Sequence, residues 1–257
     1  MATISLSARA QFADSSTGLL SSPTADIYDS GTFFITNNFL NKNLTANNGS
    51  YGWKYHTFAY GFGITFWSRV EVNYVCTIFN GDWNPYAETY RQKIMKNQDR
   101  HFAAKFLLLK EGEFGKSWIP ALAVGVSDPV TGSGGGEYIG SDISGAAGNG
   151  YFNRMYIVAT KHFSTSIGDV SGSLGYQYNL RQDPHYNAPC AAVTWKPIWL
   201  ENRWFNPKFI LEYDARTPNI GFIADIWDGR FETMFELQNF RWISFGLRYK
   251  LRLKGSE

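Results

Sequence analysis

FETMFELQNFRWISFGLRYKLRL, residues Phe231–Leu253, decides the fold class. In its first half Phe231, Thr233, Phe235 and Leu237 alternate with Glu232, Met234, Glu236 and Gln238. In its second half Ile243, Phe245, Leu247, Tyr249 and Leu251 alternate with Ser244, Gly246, Arg248, Lys250 and Arg252. Successive strand side chains point to opposite faces, so each half reads as a strand with one apolar and one polar face. Asn239–Trp242 joins them as a hairpin. Matching the polar faces predicts Glu236 near Gly246 and Arg248, and Glu232 near Lys250.

The same period recurs upstream. Twelve segments alternate in this way: Thr32–Leu40, Tyr55–Phe66, Arg69–Phe79, Arg100–Leu109, Pro120–Ser127, Phe152–Lys161, Asp169–Tyr178, Ala191–Pro197, Pro207–Asp214, Asn219–Ile226, Phe231–Gln238 and Trp242–Leu253. A tilted transmembrane strand needs ~9–11 residues, and single-chain bacterial barrels have an even strand number. Alternation also suits a soluble sandwich, with one face in a core and the other in water. Two features favour a barrel. The apolar faces are aromatic-rich near strand ends, as an interfacial girdle requires, and the polar faces carry Gly, Ala, Ser and Thr with scattered charges, as a crowded lumen requires. The connections sort as well. Longer ones, such as Asp128–Tyr151, fall mainly at odd positions and shorter ones, such as Trp67-Ser68, at even positions. Short periplasmic turns and long outer loops produce this pattern. The reading is an all-β, antiparallel up-and-down transmembrane β-barrel of about 12 strands.

Composition agrees. Charged residues make up 18% of the chain, below the roughly 25% of a soluble domain. Lys+Arg is 24 against Asp+Glu 22, too balanced to imply a nucleic-acid partner. No stretch approaches the ~18 consecutive apolar residues of a membrane helix. Ala8-Arg9-Ala10 has the small-x-small form of a signal-peptidase site, so residues 1–10 read as the remnant of a signal peptide, with export to the bacterial outer membrane. Residues 11–31 read as an N-terminal periplasmic or plug-like segment, 32–253 as the barrel and 254–257 as a tail. Cys76 and Cys190 are expected to stay unpaired, Cys76 facing lipid.

The segment Gly18–Ile35, GLLSSPTADIYDSGTFFI, combines a G-L-x-x-x-P-T-A core with a following G-T-F. It resembles the entry motif of the YjbH family of outer-membrane proteins. The likeness continues through Val70–Phe79, Asn97–Glu111, Ala121–Pro129 with VGVSDP, Gly148–Phe163, Glu212–Gly221 and Ser244–Leu251, and is strongest to short, barrel-only members. The resemblance implies an outer-membrane β-barrel linked to exopolysaccharide biosynthesis and export. Its implied partners are polysaccharide and other exopolysaccharide-system proteins, beside outer-membrane lipid. It implies no reaction. One departure is the C-terminus: many such barrels end on an aromatic residue, whereas this chain ends Leu253-Lys254-Gly255-Ser256-Glu257.

Catalytic motifs are sparse. There is no G-x-S-x-G, Walker loop or C-x-x-C. GSGGG at Gly132–Gly136 is not set between a strand and a helix and reads as a loop. His56, His101, His162 and His185 lie on separate segments, so neither a metal site nor a cofactor is expected. His162-Phe163-Ser164 suggests the His–Ser pair of outer-membrane lipid hydrolases, but falls at the sixth connection with no orienting group in sequence, and reads better as a turn. The candidate functional residues are the polar-face charges Glu71, Lys105, Glu212, Asp225, Glu232, Glu236, Arg248 and Lys250. Cross-strand pairing inside the lumen is their simplest role; a polar path or docking surface for sugars or ions is the other. Outer-loop aromatics Tyr51, Trp53, Trp83, Tyr86, Tyr90 and Tyr138 suit an upper girdle or stacking on sugar rings. The expected function is therefore that of a non-enzymatic outer-membrane barrel of the YjbH type. A small channel or porin is the first alternative, a lipid hydrolase the second and a secreted soluble β-sandwich the third.

Overall fold

The computed structural model describes residues 14–41, 47–48, 53–54, 56–83, 94–129, 154–178, 187–215 and 217–253. Residues 1–10, the Gly132–Gly136 loop, Tyr51, Tyr86, Tyr90, Tyr138, His185 and residues 254–257 lie outside these, as do the side chains of Trp53 and Trp83.

Twelve antiparallel strands close into a barrel. In chain order they are β1 (Thr32–Leu40), β2 (His56–Phe66), β3 (Val70–Trp83), β4 (Ile94–Leu109), β5 (Ala121–Ser127), β6 (Arg154–Thr165), β7 (Gly168–Tyr178), β8 (Ala188–Pro197), β9 (Phe205–Asp214), β10 (Thr217–Ile226), β11 (Phe231–Gln238) and β12 (Trp242–Arg252). Each strand pairs with its sequence neighbours, and β1 pairs with β12 to complete the ring, Phe33 opposite Leu251 and Phe39 opposite Phe245. Closure leaves no strand edge unpaired, the condition for a sheet to sit in hydrocarbon. A separate two-residue ladder joins Asn47–Asn48 to Trp53–Lys54. Among the described residues no helix is long and apolar enough to cross a membrane.

The barrel is inside out relative to a soluble protein. Ile35, Phe62, Phe102, Ile157, Leu174, Val193, Leu211, Phe245 and Leu247 are exposed on the outer wall, whereas Glu71, Lys105, Arg154, Thr160, Glu236 and Arg248 are buried inside. Exposed apolar surface on this scale is tolerated only against another apolar phase. The fold is that of a membrane β-barrel, and the soluble sandwich does not match it.

One end is built from short connections: 67–69, 110–120, 166–167, 198–204 and 227–230. Trp67 and Ser68 both take left-handed φ, 53° and 49°, and the Arg69 N–H donates to the Phe66 carbonyl at 3.0 Å to close the turn. The connections at the opposite end include 41–55, 84–93 and 128–153.

Several strands differ from the sequence reading at their ends. β3 and β4 pair as far as Trp83 and Ile94, so much of the expected loop Asn80–Asp99 is a hairpin extension. β8 begins at Ala188 rather than Ala191, with Pro189 within the ladder, and β9 begins at Phe205 rather than Pro207. Pro207, the expected first residue of its strand, lies two residues inside β9, and Pro189, expected in the connection before its strand, lies one residue inside β8. Cys190 therefore lies on β8, buried, and Cys76 on β3 is half-buried; the two form no disulfide.

Candidate functional site: the filled lumen

Residues 14–30 precede β1; the stretch up to Tyr28 lies inside the barrel, and Asp29 is exposed at the short-connection rim. Asp14–Thr17 and Leu19–Ala25 are buried, with Leu19, Leu20 and Ser21 fully enclosed. The segment doubles back on itself: the Leu19 N–H donates to the Ser22 carbonyl at 3.1 Å, and Gly18 bridges Pro23. Gly18, two serines and Pro23 supply the turn chemistry, and the Leu19-Leu20 tip brings apolar contact to a polar cavity. Gly61, Gly63 and Gly221 make room: a Cβ at Gly61 would meet Ser15 at 2.1 Å, at Gly63 the Asn73 amide at 1.9 Å, and at Gly221 the Leu20 side chain at 3.0 Å.

The candidate charges hold this segment in three groups. In the first, Glu71 and Lys105 stand opposite each other on β3 and β4 and share Thr17. The Thr17 N–H and hydroxyl donate to Glu71 at 2.9 and 2.7 Å. Lys105 donates to the Thr17 carbonyl, to the Thr17 hydroxyl at 2.9 Å and to the Asp26 carbonyl at 3.0 Å. Asn73 bridges Glu71 to the Ser16 hydroxyl, at 3.0 and 3.1 Å.

In the second, Arg248 on β12 forks between wall and segment. Its guanidinium donates to Glu232 at 3.0 Å, the Tyr28 hydroxyl at 2.6 Å and the Ser15 and Ser16 carbonyls at 3.1 and 2.8 Å. Tyr28 in turn donates to Glu232 at 2.9 Å. Lys250 completes the chain, 3.3 Å from Glu232 and 2.5 Å from Asp225. Asp225, 43% exposed, sits at the mouth rather than within.

In the third, Glu212 and Glu236 meet the turn of the segment. Glu212 accepts from the Ser21 and Ser22 N–H groups at 2.7 and 3.2 Å and from Asn219 at 3.2 Å. Glu236 accepts the Ser21 hydroxyl at 2.7 Å. Neither carboxylate has a Lys or Arg at ion-pair distance among the described residues, so hydrogen bonds to the segment replace the salt bridges expected of them.

The hairpin register differs from the one inferred from Asn239–Trp242. Glu232 lies directly opposite Arg248, Met234 opposite Gly246 and Glu236 opposite Ser244. The turn is the three residues 239–241, with Asn239 and Phe240 at positive φ, and this shifts the partner of Arg248 from Glu236 to Glu232. The expected proximity of Glu232 to Lys250 is present.

Other lumen residues did not stand out in the sequence. Arg154 on β6 donates to Asp14 at 2.5 Å, the Ser21 carbonyl at 3.2 Å and Gln177 at 3.3 Å. His101 is 3.6 Å from the same Asp14. Thr160 accepts from the Ala25 N–H at 2.9 Å, and Gln177 donates to Asp214 at 3.0 Å. The one available signal was that Arg154 shares the inward parity of Thr160. It was masked because both faces of β6 are largely apolar, Tyr156 and Val158 on one, Met155 and Ile157 on the other.

His162 and Ser164 lie on the last turns of β6 rather than in a connection; the turn itself is only residues 166–167. His162 contacts Glu111 through Nδ1 at 2.7 Å and Asp26 through Nε2 at 3.5 Å, while Ser164 donates to Asp169 at 2.8 Å. Both imidazole nitrogens face carboxylates and the serine hydroxyl is spent on another, so the pair lacks the base-to-nucleophile hydrogen bond of a hydrolase. Glu111, in the connection 110–120, is raised by partial burial but held below the usual carboxylate range by hydrogen bonds from Lys161 and His162. Among the described residues, no three His, Cys, Asp or Glu side chains are placed to hold a metal ion.

The lumen is thus a lattice of carboxylates, guanidiniums and the ammoniums of Lys105 and Lys250. Its partners are largely hydroxyls, amides and carbonyls of the chain's own N-terminal segment. No protein-family model and no curated protein matches the chain. Among solved structures it is similar to a mutant of the ferric enterobactin receptor of Pseudomonas aeruginosa in complex with enterobactin, at 9% identity and a TM-score of 0.24, over 88% of this chain and 40% of that one. This chain spans less than half the length of that receptor.

Proposed function

We propose that this chain is a plugged outer-membrane β-barrel that serves the export or assembly of surface polysaccharide without itself catalysing a reaction. The observation that carries the membrane reading is the inversion of polarity across the wall. The observation that bears on activity is the lumen, whose side chains are arranged to bind hydroxyls, amides and carbonyls. Those are the groups an extended glycan presents, and the N-terminal segment occupies them. The link to polysaccharide rests on the motif resemblance at Gly18–Ile35.

Deletion of the gene, with surface polysaccharide measured by staining and by sugar analysis of the medium, tests this. Loss or retention of polysaccharide inside the cell is expected. Unchanged secretion refutes the glycan role. Recovery of the protein from cells without detergent refutes the membrane role.

A channel is the second reading, and the buried segment speaks against a permanently open one. Wild-type protein in planar bilayers is expected to show little steady conductance. A large, constant conductance favours a porin.

A further inference from the structure

The short-connection rim carries a feature that neither the barrel fold nor the lumen requires. Trp67, Trp118, Trp199, Trp204 and Trp227 are all exposed there, one or more on four of its five connections. Three of these indoles have a cation over the ring: Lys116 at 5.9 Å from Trp118, Arg203 at 5.1 Å from Trp204 and Arg230 at 5.3 Å from Trp227.

Two of the pairs form one patch. The connections 198–204 and 227–230 are hydrogen-bonded to each other, Trp227 N–H to the Trp204 carbonyl at 3.4 Å and Asp228 N–H to the Arg203 carbonyl at 2.7 Å. Trp227 also stacks on Phe231, rings 6.0 Å apart and 7° from parallel, which ties the patch to the outer apolar wall. Arg203 is partly neutralised by Asp228 at 3.1 Å. Arg230 and Lys116 have no carboxylate at ion-pair distance among the described residues.

An indole is amphipathic and settles at headgroup level, with its ring toward the acyl chains and its N–H toward water. An exposed guanidinium beside an indole offers its forked N–H donors to polar partners; Arg203 gives one to Asp228, and both Arg203 and Arg230 are exposed. That fork matches a phosphate oxygen pair. The surface therefore presents, in one place, an apolar floor continuous with the lipid-facing wall and an anion-binding rim above it.

We propose that the joined connections carrying Arg203, Trp204, Trp227 and Arg230 bind the phosphate headgroup of a glycerophospholipid in the leaflet that surrounds the short-connection end, with Lys116 and Trp118 forming a second, lesser contact. The acyl chains lie along the wall below Trp227 and Phe231, and the phosphate is held between the two guanidiniums. A soluble anion matches the rim but leaves the floor uncovered, which is why the lipid is the occupant.

The full-length protein, delipidated in a mild non-ionic detergent, is titrated with dioleoyl phosphatidylglycerol, with dioleoylglycerol lacking the phosphate, and with inorganic phosphate, and bound molecules are counted by native mass spectrometry. Phosphatidylglycerol is expected to bind, dioleoylglycerol and phosphate far less. Arg203→Gln with Arg230→Gln is expected to weaken phosphatidylglycerol binding by about tenfold or more, since hydrogen bonds to charged groups are being removed. Trp204→Phe with Trp227→Phe, which keeps the charge, is expected to weaken it less. Should the double arginine variant fail to fold, Arg230→Lys keeps the charge but not the fork and is expected to weaken binding several-fold. Equal binding of phosphatidylglycerol and dioleoylglycerol overturns the proposal. So does phosphate binding without lipid, or wild-type occupancy in the arginine variants.

Discussion

Replacing Arg248 with methionine removes the group that ties β12, β11 and the N-terminal segment together. Arg248 is 1% exposed and makes four hydrogen bonds, to Glu232, Tyr28, Ser15 and Ser16. Breaking a buried ion pair costs about 3–5 kcal/mol because the remaining charge is stranded. Here Glu232 keeps Lys250 at 3.3 Å and the Tyr28 hydroxyl at 2.9 Å, which places the pair contribution at the lower end. The Ser15 and Ser16 carbonyls lose a buried donor, at about 1–3 kcal/mol for each group left unsatisfied. A total of at least about 5 kcal/mol follows. With a urea slope of about 3 kcal/mol/M for a chain of this size, the unfolding midpoint in detergent micelles falls by roughly 1.7 M. The double variant Arg248→Met with Glu232→Gln removes both charges. It should be less destabilised than the sum of the single variants by about 1–3 kcal/mol. A midpoint within 0.2 M of wild type (about 0.6 kcal/mol on the same slope), or strict additivity in the double variant, refutes the assignment of Arg248 as the clasp of the lumen.

Phe245 is 53% exposed on the outer wall and stacks on Phe39 at 5.0 Å; Phe245→Arg should cost ~2–4 kcal/mol at mid-membrane, read as lost heat-modifiability on gels. In proteoliposomes, Leu247→Cys should react with a lipid-soluble maleimide and resist a water-soluble one, while native Cys190 stays protected from both until denaturation. Gly125→Val drives a side chain into the Tyr156 ring, 2.1 Å from an added Cβ, and should destabilise by about 1–3 kcal/mol through overpacking, seen as a lower melting temperature. Glu111 has its acidity strengthened by Lys161 and His162 on folding, so it contributes stability above its unfolded pKa that is lost as pH falls through the lower folded value. Glu111→Gln should therefore lower stability in the neutral range, leave it little changed below the folded pKa, and so flatten the acid limb.

The barrel was legible because alternation is a local signal: β1 and β11 have the bounds that Thr32–Leu40 and Phe231–Gln238 show in sequence. Register was less so, because it depends on turn geometry; the three-residue turn 239–241 sets Arg248 opposite Glu232 rather than beside Glu236. The parity of Glu71, Lys105, Glu212 and Glu236 could be read from their strands, but their partners could not. Those partners are serines, threonines and backbone groups of residues 15–26, whose composition resembles any polar linker. A salt-bridge rule applied to the charges alone matches the Glu232–Arg248–Lys250 chain and misses the other two groups.

The contacts of the N-terminal segment also set an order of assembly. Thr17 meets Glu71 across 54 residues, Asp14 meets Arg154 across 140, and Ser15 meets Arg248 across 233. Loop closure over such separations is slow, and contact order this high places the ordering of these groups late in folding. The segment that precedes every barrel strand in sequence is then the last to find its place. It is locked only when β12, carrying Arg248, arrives beside β1. An emerging barrel thus carries an unsatisfied, water-filled interior until its final strand docks, so seam closure and desolvation of the interior belong to one cooperative step.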